Sequence, residues 1–171
     1  MPAYLELQEG TKGISGHAKE NEMDSQQNKE MILREYQLFQ AGDIEGLLQF
    51  FADDVEWVGV PTEFMPFSGH YHGKQEVRQF FAEMGNAQEA EQFEPQEAIA
   101  EGDKVVVTGQ SRWIVKATGQ SYDNPWVHIF TIRDGKIVRF QQFNDTAAGR
   151  DAFMPADMTL RDKDSDASLL H

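Results

Sequence analysis

The chain has no cysteine, so a disulfide frame, a thiol nucleophile and a Cys-ligated metal or iron–sulfur cluster are all excluded. Positive charge is scarce: 15 Lys and Arg stand against 29 Asp and Glu, for a formal net charge of −14. Nucleic acid and an anionic membrane leaflet both ask for a basic footprint, so neither is expected as a partner. No apolar run approaches the roughly 20 residues of a spanning helix. Between Met1 and Asn28 no basic stretch leads into an apolar one, so no secretory leader is expected and a cytoplasmic location is. The phosphate-cradling Gly-x-Gly-x-x-Gly and Gly-Lys-Ser/Thr patterns and the Gly-x-Ser-x-Gly elbow are missing as well. That disfavours nucleotide chemistry and serine hydrolysis, and no cofactor is expected.

What is present suits one folded domain. The 171 residues are 40% hydrophobic and 11% aromatic, too apolar for disorder despite the charge. Residues 1–28 show almost no apolar periodicity and read as a flexible N-terminal extension; residues 154–171 read as an acidic C-terminal tail. Residues 29–153 carry the regular patterning. From Lys29, Ile32, Tyr36 and Phe39 fall on one helix face, which Gly42 ends. Asp43 is placed to cap a short second helix carrying Leu47, Leu48, Phe50 and Phe51. Asp53-Asp54 then breaks it ahead of a strand over Val55–Val60, and Gly73 opens a third helix with a Val77, Phe80, Phe81, Met84 stripe.

After Gly85 the apolar period becomes two. Phe93–Ala100, Lys104–Lys116, Ser121–Arg133 and Lys136–Asn144 read as four strands joined by hairpins. Asp134-Gly135 is a two-residue type I′ turn signal. The expected fold is α+β: a long curved sheet wrapped around about three helices, with an internal pocket.

Three segments in this order resemble the SnoaL-like proteins of the nuclear-transport-factor-2-like superfamily. They are Pro66–Gly73 ahead of the third helix, Ile99–Val107, and Asp134–Phe140 running on to Phe143-Asn144-Asp145-Thr146. The resemblance covers about residues 29–153 and implies a cone-shaped sheet, antiparallel or mixed, and a homodimer through that sheet. It also implies cofactor-free chemistry on a small apolar molecule. The superfamily holds isomerases, cyclases, epoxide hydrolases and binding proteins, so the polar residues inside the cone must choose among them.

By this resemblance His128 matches the position of an oxyanion-stabilising carboxylic acid in ketosteroid isomerases. Asp145 matches a working Asp of SnoaL-like cyclases. They are the candidate catalytic pair, Asp145 as acid/base and His128 as polariser of a carbonyl oxygen. Trp57, Phe67, Tyr71, Gln110, Arg112, Trp126 and Phe143 are the candidate substrate-binding residues. Trp57 stands where the isomerases carry their general base, and Arg112 where limonene-type epoxide hydrolases carry an Asp, so neither mechanism transfers whole. Each candidate has a plainer reading. Asp145 before Thr146 is also placed to cap a helix; His128 is also suited to a structural hydrogen bond; Arg112 is also suited to a cross-strand ion pair. His70-x-His72 has no well-spaced third ligand, and no metal is expected. Alongside an isomerase, cyclase or hydratase stand two other readings, a non-catalytic hydrophobic-ligand module and a dimerisation domain.

Overall fold

The computed structural model describes residues 10–158, with side chains from Asp24 onward. Its elements are α1 (Gly10–Gln40), α2 (Ile44–Leu48), β1 (Phe51–Val58), β2 (His70–His72), α3 (Gly73–Ala87), β3 (Gln88–Glu101), β4 (Lys104–Val115), β5 (Ser121–Arg133), β6 (Lys136–Asn144) and α4 (Thr146–Phe153). The fold is α+β. All six strands join one sheet in the order β2-β1-β6-β5-β4-β3, with β1 and β6 parallel and every other pair antiparallel. Helices α1 and α3 cover one face, α1 over β3 and β4 and α3 over β1. Among the described residues no helix is long and apolar enough to cross a membrane.

The hairpin reading holds best where turn chemistry is strongest. β5 and β6 have the expected bounds, and Asp134 (φ 50°) and Gly135 (φ 69°) both adopt the left-handed conformation a type I′ turn requires. Asp43 caps α2, its Oδ1 accepting from the Gly46 N–H at 2.8 Å.

Other boundaries move. The segment 10–28, expected to be loose, continues α1 back to Gly10. It lacks an apolar stripe to announce a helix, but its Lys, Glu and Gln residues are good helix formers. Residues 1–9 of the expected extension and 159–171 of the expected tail lie outside the described residues. Phe51, expected in α2, opens β1 instead, fully buried and paired with Ile137. β1 runs through Asp53-Asp54, both exposed, with an irregular register between Phe51 and Glu56 that takes up the slack. His70–His72 forms a short strand beside β1, with Tyr71 opposite Trp57. β3 starts at Gln88, ahead of the visible alternation at Phe93, because its first residues pair with the end of β4, Gln88 opposite Val115.

β3 is a sheet edge. Glu89, Glu91, Glu94 and Glu97 on it are exposed, and Pro95 interrupts it. Charge and proline on an edge discourage pairing with another chain, which gives the acidic run a physical role.

The inner face of β4 and β5 depends on one glycine. Gly109 lies opposite Trp126, and a Cβ at Gly109 would collide with the six-membered ring of Trp126 and with the Glu94 carbonyl. Gly109→Ala is expected to cost about 1–3 kcal/mol in urea unfolding, as overpacking does. Wild-type stability in that variant would show that the indole is not seated over Gly109.

Candidate functional site

The alternation of strand side chains divides the expected site residues between two faces. Ser111 and Trp113 on β4, Tyr122, Asn124, His128 and Phe130 on β5, and Phe140, Gln142 and Asn144 on β6 face the helices. With Glu35, Tyr36 and Phe39 from α1, Phe80, Phe81 and Met84 from α3, and Trp57, Met65, Phe67, Gln88 and Phe93, they bound a cavity of about 80 Å³. Ring packing makes most of its wall: Trp57 lies 4.0 Å from Phe140 and 4.6 Å from Phe80, centroid to centroid.

His128, Trp57 and Phe67 therefore border the cavity, as expected of site residues. Trp126 is buried behind the wall, stacked on His128 at 4.1 Å and on Phe93 at 5.1 Å. Tyr71 packs on Phe80 at 5.4 Å and does not reach the cavity. Gln110, Arg112 and Phe143 take the opposite strand parity and face away. Gln110 is exposed, Phe143 is 50% exposed, and Arg112 bridges Asp123 at 2.8 Å and Glu91 at 3.1 Å across neighbouring strands. Periodicity identifies which residues share a face but not which face the helices cover.

Asp145 also differs from its expected role. It follows β6 on the outward parity and caps α4, its Oδ1 accepting from the Ala148 N–H at 3.0 Å. Its backbone N–H donates to Asn124 Oδ1 at 3.2 Å. The carboxylate borders no part of the cavity. The helix-capping reading of Asp145 describes this geometry.

The carboxyl group inside the cavity belongs to Glu35. It is 5% exposed, its Oε2 has no hydrogen-bond partner, and burial pushes its pKa up to about 8. A neutral carboxylic acid at pH 7 can donate a hydrogen bond as well as accept one. The sequence carries a signal for it: Ile32, Glu35, Tyr36 and Phe39 complete an i, i+3, i+4, i+7 stripe, with one acid in an apolar row. Beside it, Tyr36 Oη lies 2.7 Å from His128 Nδ1. Burial, and then the Glu35 charge, hold the Tyr36 phenol well above its ordinary range, so Tyr36 keeps its proton. Burial lowers the His128 pKa to about 3, leaving a neutral imidazole at physiological pH.

The remaining polar groups are mostly paired. Tyr122 donates to Gln88 Oε1 at 2.7 Å, and Trp113 Nε1 donates to Ser111 Oγ at 2.8 Å. Trp57 Nε1, like Glu35 Oε2, is buried without a partner, and so is Trp126 Nε1 behind the wall. His70 and His72 are exposed on β2, and among the described residues no three His, Asp or Glu side chains gather as a metal site would need.

Residues 32–140 match the SnoaL-like domain. Among solved structures the chain is similar to a nuclear-transport-factor-2-like protein from Burkholderia xenovorans LB400, with 28% identity and a TM-score of 0.69, covering 76% of this chain and 98% of that one. A like protein of unknown function from Burkholderia pseudomallei K96243 shares 28% identity with a TM-score of 0.68, over 75% of this chain and 98% of its own. TerC, co-crystallised with polyporic acid, shares 32% identity with a TM-score of 0.64, over 74% of this chain and 97% of its own. No curated protein matches the chain.

Buried Glu35 and half-buried His128 tie stability to pH in opposite senses. Glu35 is raised from 4.5 to about 8, so its contribution is whole below pH 4.5 and is lost as pH rises through 8. His128 is lowered from 6.5 to about 3, so its contribution is whole above pH 6.5 and is lost as pH falls toward 3. The unfolding free energy of wild type relative to Glu35→Gln is expected to fall by about 1.4 kcal/mol per pH unit between those limits for Glu35. A difference independent of pH would mean that Glu35 is not buried as a neutral acid. Asp145→Ala is expected to cost about 1 kcal/mol in urea unfolding through loss of the α4 cap.

Proposed function

The chain belongs to the SnoaL-like domain family, and from that premise we propose that it catalyses cofactor-free proton transfer on a small apolar carbonyl compound held in the cone. One observation carries the reading: Glu35 is a carboxyl group buried in an aromatic cavity with an oxygen that nothing in the fold pairs. Structures keep few such atoms, because leaving one unpaired costs about 1–3 kcal/mol.

The chemistry is a keto–enol shift. The Glu35 O–H gives its proton to the carbonyl oxygen, and the other carboxyl oxygen takes a proton from the adjacent carbon. The bond electrons from that carbon form the C=C bond of the enol, and the carboxyl group ends protonated, as it began. A pKa near neutrality suits a group that must both give and take a proton. A carboxylic acid kept neutral by an apolar site and donating to a developing oxyanion has a precedent in ketosteroid isomerase. The Tyr36–His128 pair fixes a second polar edge of the same cavity, its imidazole neutral and its orientation held by the phenol.

TerC, 32% identical to this chain, was co-crystallised with polyporic acid, which supports a small-molecule ligand for this chain. The outward sheet face, where Phe143 is half exposed, is the surface we assign to a homodimer.

The test follows deuterium exchange at the α-carbon of small cyclic ketones by NMR. Wild type is expected to accelerate exchange, and Glu35→Gln to lose about 100-fold or more of that rate with its fold intact. Asp145→Ala and Arg112→Ala are expected to keep the wild-type rate. Equal rates in wild type and Glu35→Gln, or no acceleration by wild type across the ketone set, would sink the proposal.

A further inference from the structure

Two residues of the cavity wall bring buried polar atoms that the fold leaves unpaired: Glu35 Oε2 and the indole nitrogen of Trp57. Glu35 is 5% exposed and Trp57 4%, so bulk water does not serve either residue. The indole N–H can only donate. Three other side chains of the same wall are hydrogen-bonded within the fold: Trp113 to Ser111, Tyr122 to Gln88, and Tyr36 to His128. Glu35 and Trp57 thus bring a carboxyl group and a donor that no protein group pairs.

The charge of the wall narrows what can join them. No Lys or Arg borders the cavity, and His128 is neutral. An ionised carboxylate entering it would give up its hydration and find no opposite charge, a cost several-fold beyond that of a neutral carbonyl. A ketone or quinone oxygen accepts from an O–H and an N–H alike. The ring-lined wall, in which Trp57 packs on both Phe80 and Phe140, favours a flat ligand.

We propose that Glu35 and Trp57 act together as a donor pair that makes the cavity selective for flat, uncharged ligands with carbonyl-type acceptor oxygens and excludes carboxylates. This rests on the reading of Glu35 as the proton carrier and adds the form of ligand it selects. The pair is complete only while Glu35 holds its proton. Three other titratable groups face the cavity: Tyr36 on α1, and Tyr122 and His128 on β5. Both phenols are shifted upward by burial and the imidazole downward, so none of them changes charge between about pH 6 and 9.5. The cavity residues of β1, α3, β3, β4 and β6, with Met65 and Phe67, are not titratable. A change in affinity for a non-titrating ligand across that range therefore reports Glu35.

The experiment measures binding of acetophenone and benzoate by calorimetry from about pH 6 to 9.5, with circular dichroism at each pH to verify the fold. Acetophenone does not titrate, and benzoate stays ionised throughout. Wild type is expected to bind acetophenone at least about tenfold more tightly than benzoate at pH 6.5, and to lose about tenfold in acetophenone affinity by pH 9.5. Glu35→Gln is expected to bind acetophenone with no pH dependence. Trp57→Phe is expected to weaken binding several-fold while keeping the wild-type pH dependence. Equal affinity for the two ligands, a flat wild-type profile, or no saturable binding of acetophenone overturns the proposal. Selective, pH-dependent binding without α-carbon exchange keeps the donor pair and removes the enzyme reading; exchange that needs Glu35 alongside a flat binding profile does the reverse.

Discussion

Trp126 sits in a stack on the inner face of the sheet, and that stack joins the first helix to the strands. Its indole lies across Gly109 on the neighbouring strand, where any side chain would displace it. On the ring are His128 at 4.1 Å, Phe93 at 5.1 Å and Tyr36 at 5.8 Å. Tyr36 then reaches His128 through a 2.7 Å contact. Aromatic pairs of this kind contribute about 0.5–1.5 kcal/mol each beyond their area, and here several share one centre. Together they set the rotation of α1 against the sheet. Glu35 lies on the same helix face as Ile32 and Tyr36 and is buried with them. The buried carboxyl group is thus a consequence of how the rings pack.

That arrangement carries a cost which the rest of the core offsets. An unpaired carboxyl oxygen and an unpaired indole N–H each weaken the folded state, and the burial of Ile32, Leu47, Leu48, Phe51, Val55 and Val77 works in the other direction. Local rules tend to fail at functional sites, where a sequence gives up some stability for a group held ready. Glu35 in an apolar row is such a failure, and it coincides with the cavity.

The large negative charge belongs to a different part of the molecule. Seven acidic residues and no Lys or Arg occur between Ala82 and Asp103, most of them on the exposed edge strand β3. There they disfavour pairing of a fourteen-residue edge with other chains. Apart from Glu35 no acid borders the cavity, so the net charge describes the solvated surface and says nothing about the ligand.

Elements whose causes are local can be read from the chain before it folds. The type I′ turn at Asp134-Gly135, the Asp43 cap, the stripe of α3 and the two-residue alternation of β4 to β6 rest on conformational preferences within a few residues of chain, and they were legible there. The start of α1 and the first residues of β1 and β3 were not, because helix propensity without an apolar stripe and long-range pairing leave little local trace. The site divided in the same way. Periodicity grouped Gln110 with Arg112, and Trp126 with His128, but which group faces the helices is settled only when the sheet curls and α1 docks. That parity sent Arg112 to Glu91 and Asp123, and Asp145 to the cap of α4. Glu35 stood in view in the α1 stripe, but that it is a buried acid follows from how α1 packs on the sheet. Burial depends on every element packed around a residue, and no window of sequence contains them.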